Sequence, residues 1–224
     1  MIHKFYSKTS KEQKKVQIKI GLLALLIIAI GVWIAWFTQV YIIGILIFFI
    51  IITLLAPFVD TPSMKQAGRL TYHSLLFITE KPKDNKIKVH GGTLFDYVFV
   101  LCKQIPREKR IHFILQQYVE GLIHLITSLE NSKEEHIIIS GTSYIINERT
   151  AKRLGFKVID TDGLQLIILA LNYCNITTSY SIAKGKITLP NIAKTKTFEV
   201  SLADLKEKKS YLISLNKKLY SRLK

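Results

Sequence analysis

Two long stretches without a charged residue constrain this 224-residue chain more than any other feature. The first covers residues 20–37 and the second covers residues 40–59, with only Thr38 and Gln39 between them. A helix needs about 20 apolar residues to cross the ~30 Å hydrocarbon core of a bilayer, so each stretch is long enough for one crossing. A single helix over both stretches would be roughly 60 Å long, which tilting does not easily accommodate.

We therefore predict a membrane α-helical hairpin of two transmembrane helices, with a tight turn near Thr38–Gln39. Aromatic side chains flank the turn, and Trp and Tyr prefer the membrane–water interface. These residues are Trp33, Trp36, Phe37 and Tyr41. Two alternatives fit less well. A cleaved signal peptide would have a shorter apolar region and a small-residue cleavage site, and a buried hairpin of a soluble protein would carry a polar face.

The distribution of basic residues predicts the orientation. The segment before the first stretch has one acid, Glu12, and six lysines: Lys4, Lys8, Lys11, Lys14, Lys15 and Lys19. Lys65 and Arg69 follow the second stretch, whereas the turn carries no basic residue. The positive-inside rule then predicts a multi-pass protein of the plasma (inner) membrane with both termini in the cytoplasm. Cys102 and Cys174 are compatible with a reducing compartment.

Three regions follow from these patterns: a basic cytoplasmic segment (1–19), the hairpin (20–59) and a basic cytoplasmic domain (60–224). For the last region we predict a soluble mixed α/β (α+β) fold. Its clearest helix covers 107–132, where apolar residues recur every three or four positions. A shorter helix has Asn147 as its N-cap and stops at Gly155. Other predicted elements are strands at 69–79, 86–90, 136–140, 156–160 and 197–201, a helix or strand at 93–104, a helix at 164–175 capped by Thr161 or Asp162, a strand pair at 177–189, and a helix from 201 to 224.

Two glycine-containing loops are the candidate anion-binding sites. Each follows a predicted strand, in "KVHGGTLF" and "IISGTSY", and backbone amides that open a following helix can hold an anion. The candidate residues are Gly91, Gly92, Thr93, Gly141, Thr142 and Ser143, with Lys86, Lys88 and Arg149 as nearby charges. Neither loop is a P-loop or a dinucleotide-binding fingerprint, and turn geometry alone also favours glycine.

Two short stretches resemble parts of enzyme families. "KVIDTDGLQ" resembles the opening motif of haloacid dehalogenase-like phosphatases, which implies a nucleophilic Asp160 and a proton-handling Asp162 beside magnesium. Leu164 stands where that family has Thr, and no paired acidic metal motif follows. "RTAKRLGFKVI" resembles a late helix-to-strand element of GNAT acetyltransferases, but the acetyl-CoA pyrophosphate loop of that family is absent before it. An N-cap after a strand, and a helix stop at Gly155, explain the two stretches without an enzyme.

The C-terminal segment concentrates basic charge beside a stripe of leucines. Its candidate membrane-surface residues are Lys206, Lys208, Lys209, Lys217, Lys218 and Arg222. An amphipathic helix on the anionic inner leaflet is one interpretation, and nucleic-acid binding is a less favoured one. The third is a solvated helix that packs on its own domain through Leu205, Leu212, Leu215, Leu219 and Leu223.

The sequence favours a binding or scaffolding role at the inner membrane surface, with the lipid bilayer as partner. Anionic lipids or a membrane protein complex are further expected partners, and no cofactor or metal is predicted because the histidines do not cluster. The alternative is a membrane-tethered enzyme that acts on a phosphorylated or lipid-linked substrate. A channel or transporter is disfavoured because the two stretches contain no ionisable residue.

Overall fold

The computed structural model describes residues 2–102, 104–130, 137–143, 145–146 and 148–223. It begins with two long helices, α1 (Ser10–Thr38) and α2 (Tyr41–Gln66). Gln39 adopts the left-handed conformation at φ 58° and reverses the chain between them. Both helices are long and apolar enough to cross a membrane. The prediction of two long apolar helices with a turn at Thr38–Gln39 is therefore confirmed, and α2 continues seven residues beyond the second uncharged stretch.

Small residues let the two helices approach each other closely. A Cβ atom added to Gly31 would lie 2.8 Å from the Ile47 side chain, and one added to Gly44 would lie 3.1 Å from the Ala35 Cβ. At the other end, the Gln17 side-chain amide donates to the Phe58 carbonyl over 3.1 Å. Small residues at the contact allow the backbones of apolar helices to pack by van der Waals contact.

The segment before α1 packs into the domain that follows α2. Phe5 is 1% exposed, and its ring contacts the rings of Phe95 and Phe99 at centroid distances of 4.9 and 5.3 Å. Phe58, near the end of α2, packs against Phe95 from another side at 6.0 Å. The N-terminal segment and the domain therefore lie at the same end of the hairpin.

A buried carboxylate joins these parts. Asp96 is fully buried and accepts hydrogen bonds from the Thr93 amide (2.7 Å), the Thr93 hydroxyl (2.9 Å) and the Tyr72 hydroxyl (2.7 Å). His3 Nε2 shares a further hydrogen bond with it at 3.1 Å. Burial, with the Asp96 charge beside it, raises the pKa of Tyr72, so its hydroxyl stays protonated and continues to donate.

The domain is built on a six-stranded mixed sheet in the order β1-β2-β3-β4-β6-β5. Its strands are β1 (Leu70–Ser74), β2 (Phe77–Glu80), β3 (Lys86–Gly91), β4 (Ile138–Ser143), β5 (Lys157–Ile159) and β6 (Lys196–Ser201). Only the β3–β4 pair is parallel, and the other pairs are antiparallel. The predicted mixed α/β architecture is therefore confirmed.

Seven further helices accompany the sheet in the described part of the chain. They are α3 (Leu94–Asp96), α4 (Arg110–Ser128), α5 (Glu148–Arg153), α6 (Gly163–Leu171), α7 (Tyr173–Lys184), α8 (Leu202–Glu207) and α9 (Lys209–Ser221). A π-helical turn (Tyr97–Leu101) continues α3. Helix α4 supplies the centre of the core through Ile114, Leu122 and Ile126, which are 0 to 3% exposed. This helix lies within the predicted range of 107–132, and its apolar face is buried as the periodicity predicts.

Four predicted elements differ from the structure. The single helix at 164–175 divides at Asn172 into α6 and α7, because the chain bends by 73° there. The strand pair at 177–189 is wrong, because residues up to Lys184 belong to helix α7, which ends at Gly185 with φ 69°. The single strand at 69–79 is a hairpin of β1 and β2 that reverses at Leu75–Leu76. The continuous helix from 201 divides at Lys208 into α8 and α9. The helix near Gly155 is confirmed, but its predicted N-cap, Asn147, lies outside the described residues.

Replacing Asp96 by Asn should lower the free energy of unfolding by about 2 to 3 kcal/mol, because an amide nitrogen would face donors that now bond to a carboxylate. The measurement is thermal unfolding of the detergent-solubilised full chain, followed by circular dichroism. Asp84→Asn is the matched control, since Asp84 is exposed and its φ of 51° suits Asn. Equal melting temperatures for the two variants would contradict this role of Asp96.

Replacing Gly31 by Ile should lower the free energy of unfolding by about 1 to 3 kcal/mol, because the new side chain would force α1 away from α2. Gly21→Ile is the control, since no atom lies within 4 Å of an added Cβ there. Both variants add the same apolar side chain to α1, so thermal unfolding in detergent isolates the helix contact. A Gly31 variant as stable as the Gly21 variant would show that this contact does not hold the hairpin.

Candidate functional site

The parallel pairing of β3 and β4 brings the two predicted glycine loops together. Lys86 pairs with Ile138 and Val89 with Gly141, so the carboxyl ends of both strands lie side by side. In parallel strands this edge commonly carries the binding site. The structure thus gathers all six candidate anion-binding residues around one space: Gly91, Gly92, Thr93, Gly141, Thr142 and Ser143 all line the same cavity.

That cavity has a volume of about 650 Å³ and is partly open. Such a volume is typical of sites for small molecules and cofactors. One wall is the sheet with α4, where Val89, Leu122 and Phe198 contribute side chains. Residues of α6 and α7 also line the cavity, and so does Pro57 of α2. The cavity therefore lies directly against the second apolar helix.

Apolar groups form most of the lining. They come from the loop after β4, from the residues before β5, and from α6 and α7; among them are Ile145, Ile146, Phe156, Ile168, Leu169 and Ile176. Tyr118 adds a phenol, and burial raises its pKa to about 12, so it is neutral at physiological pH. The lining suits an apolar chain better than a compact ion.

The predicted loop at Gly141, Thr142 and Ser143 is wrong, because these residues lie within β4 and pair with β6. The side-chain hydroxyls of the candidate residues are also hydrogen-bonded within the protein. The Thr93 amide and hydroxyl bind Asp96, and the Thr142 hydroxyl lies 3.0 Å from that of Thr197. The Ser143 hydroxyl accepts from the amides of Ile145 and Ile146 at 3.1 Å. An anion at these loops would have to compete with these contacts, and anion binding there stays a prediction.

Charges of both signs surround the cavity. Lys86 forms an ion pair with Glu199, and Lys196 forms another with Asp160 over 3.2 Å. His90 contacts the Glu80 carboxylate at 2.7 Å and, as a hydrogen-bond partner, lowers the pKa of Glu80. Lys88, Asp160 and Asp162 also line the cavity, whereas Arg149 does not. The mixture favours a ligand with a polar group at the rim over one with concentrated negative charge.

The basic residues near the C-terminus lie away from this cavity. Leu205, Leu212 and Leu219 are at most 9% exposed and belong to the core, where α9 packs on α4. The leucine stripe is therefore used within the domain. Four of the candidate membrane-surface residues are exposed: Lys208, Lys217, Lys218 and Arg222. Lys206 is half-buried and donates to the Glu130 carbonyl, and Lys209 forms an ion pair with the Glu130 carboxylate. Their contact with a membrane surface stays a prediction.

Sequence reasoning did not find Pro57, Asn175 or His3 as functionally placed residues. The Asn175 amide donates to the Thr53 carbonyl of α2 over 2.9 Å and fixes the cavity wall to the hairpin. This contact joins residues 122 positions apart, and His3 and Asp96 are 93 apart. The spacing of apolar residues within one element cannot predict contacts between residues so far apart in the chain. An asparagine in an otherwise apolar run does indicate a buried polar contact, although it does not identify the partner.

No known protein family, curated protein or solved structure matches this chain. Among the residues described, no group of three or more His, Cys, Asp or Glu side chains is placed to hold a metal ion. A fold class alone does not specify an activity, so the cavity and its surroundings are the features that bear on function.

Gly141 has no room for a side chain within β4, so Gly141→Ala should lower the free energy of unfolding by about 1 to 3 kcal/mol. Its Cβ would lie 2.7 Å from the Val89 carbonyl oxygen, which the strand pairing holds in place. Gly163→Ala is the control, since nothing lies within 4 Å of its Cβ. Thermal unfolding measures both variants, and a fully stable Gly141 variant would show that the strands can separate locally. Substitutions at these glycines therefore report on folding, and ligand tests need another wall of the cavity.

Proposed function

We propose that this protein is a membrane-anchored binding protein whose cavity holds an amphiphilic ligand at the membrane surface. The observation that carries the proposal is the position of an apolar, partly open cavity against α2, bounded by Pro57 and by helices tied to that span. An apolar chain would occupy the interior, and a polar group would lie near Lys88 and the two loops. Ligands that insert in a bilayer reach such a cavity over a short distance.

The second part of the proposal concerns location. Helices α1 and α2 anchor the chain in the plasma (inner) membrane, with both termini and the basic domain in the cytoplasm. The lysine-rich N-terminal segment and the uncharged turn support this orientation. The net charge of +16 and the exposed residues Lys208, Lys217, Lys218 and Arg222 suit a neighbouring anionic lipid surface or an acidic face of a membrane complex.

The binding proposal predicts that a palmitate analogue with a diazirine on its chain will label residues inside the cavity. The purified full chain is reconstituted in vesicles with this probe, irradiated and digested for mass spectrometry. We expect adducts on the peptide that carries Ile145 and Ile146, in addition to adducts on α1 and α2. Unlabelled palmitate should reduce the cavity adducts, because they come from a site that saturates.

A matched pair of variants on α6 tests whether labelling needs the cavity. Leu169→Trp fills space in the lining, whereas Leu164→Trp places the same ring on the exposed side, where Leu164 is 64% exposed. Labelling inside the cavity should fall at least tenfold for Leu169→Trp and stay unchanged for Leu164→Trp. Adducts confined to α1 and α2 in the unmodified chain would refute the proposal.

The orientation predicts that, in intact cells, a membrane-impermeant thiol reagent labels a cysteine at Gln39 but not one at Ser7 or Ser221. The background carries Cys102→Ser and Cys174→Ser. All three positions are exposed in the folded chain, so protection at the last two would come from the membrane. Labelling at Ser221 would place the domain outside the cell.

An enzyme acting on a phosphorylated or lipid-linked substrate is the second candidate. The presence of Asp160 and Asp162 on the wall of the same cavity favours it, since carboxylates can act as general acids or bases. Incubation with a polyprenyl phosphate, followed by mass spectrometry, distinguishes the candidates. Conversion that Asp162→Asn abolishes, with palmitate labelling retained, would favour an enzyme; binding without conversion favours the first proposal.

A further inference from the structure

A third uncharged stretch lies within the domain. No charged residue occurs between Gly163 and Ala183, which covers α6 and nearly all of α7. The two helices are bent by 73° at Asn172. Their combined length and composition would suffice for a further membrane crossing. Whether the stretch crosses, enters or avoids a bilayer depends on where its ends are fixed.

The sheet fixes both ends on the same side. The stretch leaves from β5 and returns to β6, and these two strands are hydrogen-bonded neighbours, with Val158 opposite Phe198. A single crossing would separate the strands by the thickness of a bilayer. Helix α7 also contributes Ala183, which is fully buried, to the core of the domain. The segment between the strands therefore leaves the sheet and comes back.

Contact with α2 sets how far the segment reaches along the hairpin. The Asn175 side chain at the start of α7 donates to the Thr53 carbonyl over 2.9 Å. Thr53 lies six residues before Val59, where the second uncharged stretch ends, which corresponds to about 9 Å along a helix axis. The junction of α6 and α7 thus lies beside the apolar part of α2, at a depth of more than one helical turn.

Helix α6 has two distinct apolar sides. Gln165, Ile168 and Leu169 line the cavity. Leu164, Ile167 and Leu171, at the three- and four-residue spacing of one helix face, are 64%, 59% and 59% exposed. No residue of α6 is buried. Leu189 is 69% exposed nearby, where Pro190 accepts a hydrogen bond from Tyr173.

We propose that α6 is a re-entrant membrane element whose outer face, Leu164, Ile167 and Leu171, lies among the acyl chains of the leaflet on the domain's side. The bilayer covers this face because the element is fixed beside the apolar part of α2 and lacks charge throughout. Helix α6 then lies between the cavity and the lipid, with Ile168 and Leu169 on the cavity side. The inference rests on the proposed anchoring by α1 and α2, which its test examines separately.

Quenching by brominated phospholipid locates α6 in reconstituted vesicles. Single cysteines at Ile167 and Leu171 are introduced in the Cys102→Ser, Cys174→Ser background and labelled with bimane. Ile45, which is 63% exposed on α2, is the position expected in lipid, and Ser210, which is exposed on α9, is the position expected in water. Each variant is first compared with the parent by thermal unfolding, and these exposed positions should leave the melting temperature unchanged.

We expect brominated lipid to quench the probe at Ile167 and Leu171 at least half as strongly as at Ile45, with little quenching at Ser210. Aqueous iodide should give the reverse order. Iodide quenching at Ile167 with lipid quenching at Ile45 would overturn the re-entrant element and leave the anchoring intact. Shielding of Ile167 from both quenchers would also overturn it, because a protein surface would then cover α6. Absence of lipid quenching at Ile45 would overturn the anchoring itself.

Discussion

The structure depends on one buried carboxylate at the junction of the hairpin and the sheet. Asp96 binds the first residues of the chain through His3, the first strand through Tyr72, and its own helix cap through Thr93. Thr93 in turn contacts Thr61 of α2, with 3.1 Å between the two hydroxyls. A buried charge is stable only when hydrogen bonds replace its hydration, so these partners must assemble together. The domain is consequently held firmly against the hairpin.

The attachment of the domain to the two long helices determines where the cavity lies relative to α2. The single parallel pair, β3 and β4, places two strand ends and their loops at one edge of an otherwise antiparallel sheet. The same edge faces α2, because Thr93 at the end of this loop contacts Thr61. Helix α7 then completes the enclosure through Asn175 and Thr53. A site formed in this way lies at a fixed position along the apolar helices. A domain on a flexible linker would have no such fixed position.

Patterns that arise from one element could be predicted from the sequence. The absence of charge over 20–37 and 40–59 identifies the hairpin because unpaired charge is costly in lipid, and the periodicity of α4 identifies a helix that covers a core. The stretch at 177–189 failed because Thr, Tyr and Ile favour strands locally, whereas packing of α7 against α2 and the core overrides that preference. The two loops were identified singly. Whether the two candidate anion-binding segments lie side by side depends on the parallel pairing of β3 and β4, which neither segment shows by itself. The contacts of His3 and Asn175 depend on the complete fold.

Helix α6 links the cavity to the surroundings of the hairpin. A surface helix of a soluble domain normally turns its apolar side inward and a polar side outward. In α6 the outward side carries Leu164, Ile167 and Leu171, while Gln165 lies on the side of the cavity. Ile168 and Leu169 make the cavity side apolar as well, so α6 is apolar on both sides and is suited to apolar surroundings on each of them. The re-entrant position that we propose for α6 would provide these surroundings, with acyl chains against Leu164, Ile167 and Leu171 and the mainly apolar cavity against Ile168 and Leu169.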